Sequence, residues 1–161
     1  MDSSSTIRYA KIASISSNFL LAGYTLSLSQ FQNGISQTYD MPAKHNVPLF
    51  ARVFNTGAYV APPVSTLGAV ASGYLLWAVP SQRKVWGIIF ALGWSMSFWT
   101  LGVMLPGIKR LIRISESEKA MEKADVNLEH RQLLIKWVRQ NYVRSVVAAV
   151  SAVLGLSASI A

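Results

Sequence analysis

Trp137, Asn141 and Arg144 are spaced i, i+4 and i+7. On an α-helix that spacing places an indole, an amide and a guanidinium on one face. After Arg144 the chain runs without charge from Ser145 to Ala161. A cation at the mouth of such a run is costly unless something answers it. One answer is snorkelling, in which Arg144 reaches back to lipid phosphates and Trp137 is an interfacial anchor. The other is an anion site, because a guanidinium keeps its charge in an apolar setting and presents a rigid fork of donors. Asn141 speaks for the second, since a buried amide wants specific partners. The two readings separate on Arg144→Lys, which snorkelling tolerates and forked anion binding does not.

The remaining polar chemistry is sparse. The chain has two histidines, His45 and His130. Histidine is the residue type best suited to proton transfer near neutrality, and His45 lies five residues after Asp40, which could orient it. His130, within "LEHRQ", reads as a surface residue. The pair could ligate a metal or haem with Asp40 or Glu129, although no HxxxH, HExxH or CxxCH spacing supports that reading. Glu118, Glu122, Asp125 and Glu129 fall near i, i+4, i+7 and i+11. Such a stripe reads as a solvated face paired with Lys119 and Lys123. The chain has no cysteine, which removes disulfides, iron–sulfur ligation and thiol nucleophiles. It carries no P-loop or G-x-G-x-x-G pattern.

The elements that would position these residues are membrane helices. Of 161 residues, 52% are hydrophobic and 14% charged, where a soluble domain carries about a quarter charged. Charge is missing from Ile12 to Tyr39, Val53 to Gln82, Val85 to Ile108 and Ser145 to Ala161. A bilayer core needs roughly 20 helical residues. The last run reaches only about 25 Å at 1.5 Å per residue, so its helix must begin before Arg144. The expectation is an all-α, integral membrane four-helix bundle forming one domain over 1–161, with helices at about 10–29, 57–79, 85–106 and 138–160. Helices 3 and 4 extend beyond the bilayer and meet at a turn near Asp125–Asn127, and Phe31–Arg52 is a polar connection. Pro62 and Pro63 suit the first turns of helix 2, and Tyr74, Trp77 and Trp86 read as interfacial anchors. The first run, "ASISSNFLLAGYTLSLSQ", is the most polar. A cleaved signal peptide is its rival reading, but no clear small-x-small site ends it. Ten basic residues flank the two long loops, from Lys44 to Arg139, against Arg8, Lys11, Arg83 and Lys84 on the other side. The positive-inside rule puts those loops in the cytosol. The net charge of +8 is thus a matter of topology. Nucleic acid is a poor partner, for no basic stripe alternates with exposed aromatics.

Three stretches carry a family resemblance. "WVRQNYVRS" (Trp137–Ser145), "FWTLGVMLPGIKRLIRIS" (Phe98–Ser115) and "VPLFARVFNTGAYVAPP" (Val47–Pro63) are together similar to the anthrone oxygenase-like family of small four-helix membrane proteins. That family was formerly a domain of unknown function. "LLAGYTLSLS" in the first helix also resembles it. Fungal members typically occur in polyketide pathways, and many others have no known activity. The resemblance implies oxidation of an anthrone-type polyketide to an anthraquinone by molecular oxygen, with no bound cofactor. Such chemistry needs a base, donors for the carbonyl oxygen as negative charge develops, and flat apolar walls. On that reading Arg144 and Asn141 hold the oxygen, His45 is the base and Asp40 orients it. Trp137 stacks on the ring, with Tyr59 and Trp99 as walls.

Two alternatives stay open: a metal- or haem-dependent membrane oxidase or cyclase built on His45, and a non-enzymatic tetraspan scaffold. Under each, the partners are membrane lipid and, for the enzymes, a small aromatic substrate. Small residues in the helices suit homo-oligomers, and the expected location is an intracellular membrane, crossed several times.

Overall fold

The computed structural model describes residues 3–35 and 41–160. These form an all-α bundle, without strands among the described residues. The helices are α1 (Ser3–Asn33), α2 (Ala43–Gly57), α3 (Ala61–Ala78), α4 (Arg83–Trp99), α5 (Leu105–Ser115), α6 (Glu118–Val126) and α7 (Glu129–Ile160). A π-helical turn, Thr100–Met104, joins α4 to α5. Its cause lies in the sequence. Pro106 has no N–H to return to the preceding turn, and the backbone widens there.

The four long helices close a ring in which α1 packs on α3 and α7, and α4 packs on the same two. Neighbours run antiparallel. A side-chain carbon at Gly68 would stand 3.0 Å from the Ser17 Cβ, and one at Gly155 would stand 3.0 Å from Ile15 Cγ1. The missing side chains are what let these backbones approach.

Polar and apolar residues share the ring's interior, and its exterior is largely apolar. On α1, Ser14, Asn18, Leu21, Thr25, Ser29 and Gln32 recur at helical spacing and are all buried, while Ile12, Phe19, Leu20 and Leu26 are exposed. Three of these polar groups are satisfied within the helix. Asn18 Nδ2 donates to the Ser14 carbonyl at 2.8 Å, and the Thr25 and Ser29 hydroxyls each donate to a carbonyl one turn back at 2.7 Å. Outward-facing Val70, Trp77, Ile88, Phe98, Val146 and Val153 continue the apolar exterior on the other helices. Such an exterior is the reverse of a soluble bundle's. Two helical stretches, Pro80–Ser115 and Glu129–Ile160, are long and apolar enough to cross a membrane.

Beyond the ring, α2, α5, α6 and the first half of α7 form a cap. Ala43, Val47 and Phe50, at i, i+4 and i+7, are buried against Ile108, Leu111, Leu134 and Trp137. The Phe50 ring meets Trp137 edge-on, centroids 5.1 Å apart. Asp125 Oδ1 accepts the Ala43 N–H at 2.7 Å, fixing the start of α2 to the end of α6. Arg110 clasps both carboxylate oxygens of Glu129, at 2.6 and 3.0 Å.

Several expectations change. Much of the supposed polar connection is the amphipathic helix α2, because Ala43, Val47 and Phe50 give it a buried face. The third apolar helix divides at the π turn. Ser117 starts a separate α6, its hydroxyl accepting the Ala120 N–H at 3.4 Å. The turn near Asp125–Asn127 is present, and Leu128 there has a left-handed backbone at φ 57°. Trp86 is fully buried and donates to Gln82 Oε1 at 3.2 Å, so it is a core residue, whereas Trp77 is exposed. His130 is buried too: its Nδ1 lies 3.0 Å from the Ala124 carbonyl, and its Nε2 lies 3.7 Å from Asp125 Oδ1.

Candidate functional site

Just below the cap the ring holds a cavity of about 260 Å³ that opens to the outside past Leu101. That is near the lower edge of small-molecule pockets, roughly 300 Å³, and suits one compact ring system. Leu21, Met96, Leu101 and Ala148 supply apolar wall. Thr25, Ser65, Thr66, Ser97 and Thr100 supply hydroxyls from three elements of the ring and the π turn. Arg144 supplies the one charged side chain of the lining. Thr100, on the same cavity, stands nine residues before Lys109, on the order of 13 Å into the apolar run at 1.5 Å per residue.

The details around Arg144 answer the question its sequence position raises. Its Nη1 donates to Asn141 Oδ1 at 3.1 Å. Among the described residues its buried Nε has no acceptor, nor has Asn141 Nδ2. Among the described residues no carboxylate pairs with Arg144. Two buried donors without a described acceptor thus stand beside a cation that no described carboxylate neutralises, a setting in which an added anionic acceptor would be favourable. Asn141 is held in turn: its carbonyl accepts the Ser145 hydroxyl at 3.0 Å, and that hydroxyl lies 2.7 Å from Thr25 Oγ1 on α1. Tyr24 stands one residue before Thr25 on α1. Its hydroxyl occupies the space beside Gly57, where a Cβ would come within 2.7 Å of the oxygen.

The structure brings together only part of the set expected from sequence. Arg144 lines the cavity and Asn141 is bonded to it. Trp137 is 5% exposed and committed to Phe50 in the cap core, so it stands two turns away as packing. His45 is exposed on α2, and Tyr59 is 83% exposed; neither lines the cavity, nor does Trp99. Asp40 lies outside the described residues. No three His, Asp or Glu side chains among the described residues gather as a metal-ligating group. The wall hydroxyls and Tyr24 went unread because serines and threonines in apolar helices are common. The inward periodicity of α1 was the available signal.

The sequence model of the anthrone oxygenase family matches residues 50–154. The chain belongs to the anthrone oxygenase family. The match spans α3, α4, the π turn and α5, together with Arg144, Asn141 and most of α7. Family membership supports an oxygenase-type activity, and it places the cavity's Arg144 wall inside the matched segment. No curated protein and no solved structure matches the chain.

Proposed function

We propose that the protein is a membrane oxygenase that converts a hydroxylated anthrone to its anthraquinone with molecular oxygen, through the deprotonated substrate. The observation that carries this reading is Arg144 on the wall of a largely apolar cavity of single-ring-system size, with its Nε and the Nδ2 of its hydrogen-bonded neighbour Asn141 buried without acceptors among the described residues.

An anthrone carries a doubly benzylic CH₂ opposite its carbonyl. Loss of one proton gives an aromatic enolate whose charge rests largely on oxygen. Arg144 and Asn141 bind that oxygen more strongly than the neutral carbonyl, which lowers the barrier to forming the anion. The electron-rich anion transfers one electron to oxygen, and the radical pair combines at the benzylic carbon. Protonation gives a hydroperoxide. Loss of the remaining benzylic proton then breaks the O–O bond and expels hydroxide, which leaves as water. One anthrone and one oxygen molecule thus give one quinone and one water, and the substrate supplies every electron.

Tyr24, one residue before the cavity's Thr25 and with its hydroxyl in the space that Gly57 leaves, is our candidate for the proton's exit. His45, on the outer surface of α2, is not. The apolar exterior and the inward polarity of α1 favour four spans, with the cap and the loop basic residues on the cytosolic side of an intracellular membrane.

The test is oxygen uptake with quinone formation by purified protein in lipid vesicles, given an anaerobically prepared anthrone. Equal consumption of oxygen and formation of quinone, above the Arg144→Ala background and unaffected by a chelator, supports the proposal. Loss of turnover on chelation, restored by metal, moves the chemistry to a metal. No excess over background removes anthrone as the substrate.

A further inference from the structure

The cavity is continued on the outside of the ring. A second hollow of about 90 Å³ lies between α3 and α4 and shares Ser65, Thr66 and Ser97 with the first. Its outer members, Val70 and Trp94, are 65% and 48% exposed, and Leu101 at the rim of the main cavity is 63% exposed. The two hollows therefore adjoin, with Ser65, Thr66 and Ser97 lining both.

Trp94 is the odd residue here. A tryptophan on a membrane helix usually sits at the headgroup level, where its N–H meets water. Trp94 stands ten residues from Lys84 and fifteen from Lys109, near the middle of the apolar run. Among the described residues its indole N–H has no protein partner. An unpaired donor facing hydrocarbon is unfavourable. Its ring packs between Phe90 and Phe98, with centroids 6.3 and 6.2 Å away, in an aromatic row along this side of α4.

We infer that the α3–α4 groove is a lateral port, through which a flat hydroxylated aromatic passes from the bilayer to Arg144. Trp94 forms its outer lip, and Thr66 and Ser97 form its gate. The inference rests on the reading of Arg144's cavity as a substrate site. The occupant follows from the lining. Aromatic faces and Val70 suit a planar apolar body, while the Trp94 N–H and the two gate hydroxyls suit phenolic oxygens at its edge. A charged or strongly hydrated molecule would find no compensation along the groove.

The port is tested by filling it. Thr66→Trp and Ser97→Phe each narrow the gate. Val153→Trp adds a ring to the exposed outer face of α7 and serves as control. In vesicles, association of a hydroxyanthraquinone is followed by stopped-flow quenching of tryptophan fluorescence, beside kcat/KM for anthrone oxidation. The expected result is an association rate at least tenfold slower in a folded gate variant, with the control unchanged. Unchanged association in both gate variants would overturn the port, even if oxidation proceeds. Slowed association in a chain that oxidises nothing would leave the port standing and remove the oxygenase reading.

Discussion

Arg144 Nη1 donates to Asn141 Oδ1 at 3.1 Å within one turn of α7, and among the described residues neither Arg144 Nε nor Asn141 Nδ2 has an acceptor. The amide turns its oxygen to the guanidinium and leaves its NH₂ unpaired. Both residues therefore offer donors, and the site is short of an acceptor by design of its own geometry.

Arg144→Lys is expected to lower kcat by about 100-fold, the scale for losing one oxyanion donor. An ammonium keeps the charge but loses the planar fork. Anaerobic binding of neutral ring compounds should change little, because the apolar walls remain. Steady-state oxygen uptake and equilibrium binding, measured on the same preparation, check both halves of the prediction.

Asn141→Asp should abolish turnover while the protein still folds. The new carboxylate would pair with Arg144 and occupy the anion site from within. Asn141→Ala, which removes one donor and adds no charge, should lose less, on the order of tenfold. If the aspartate variant were the more active of the two, Asn141 would be serving a proton and not an anion.

Tyr24→Phe is expected to slow proton removal by about 100-fold, within the range for positioned acid–base groups, and to enlarge the isotope effect with substrate deuterated at the benzylic carbon. His45→Ala should stay within about twofold of the parent, because His45 is exposed and off the cavity. The reverse pattern would return the base to His45.

Gly155→Val should destabilise the ring by about 1–3 kcal/mol, the usual penalty of overpacking. A side chain there meets Ile15 Cγ1 at 3.0 Å, with Trp86 and Ile89 at 3.5 Å. These contacts lie at the end of the bundle far from Arg144, so kcat of the surviving folded fraction should hold. Thermal unfolding in detergent reports the first effect and specific activity the second.

The bundle was legible from charge alone, since four uncharged runs separated by basic loops define four long helices. The contact between Asn141 and Arg144 was legible from their shared register. Trp137 shared that register and still fell elsewhere, because helical phase fixes a face and not a depth. Two turns above Arg144 the neighbours are Phe50 and the cap. The cap was missed because α2 is short and amphipathic, and Lys44, His45 and Arg52 on its outer face read as loop. The cavity hydroxyls come from α1, α3, α4 and the π turn, and only tertiary packing makes them neighbours.

The most direct measurement is an anaerobic spectral titration of a bound anthrone against pH, in the parent and in Arg144→Ala. Without oxygen the enolate accumulates and its absorption can be read. The account predicts that the parent shows the enolate band at a pH where free anthrone is neutral, and that Arg144→Ala binds the ring but shows no such band. Equal ionisation of bound anthrone in the two proteins would contradict the assignment of Arg144 as the holder of the anionic oxygen.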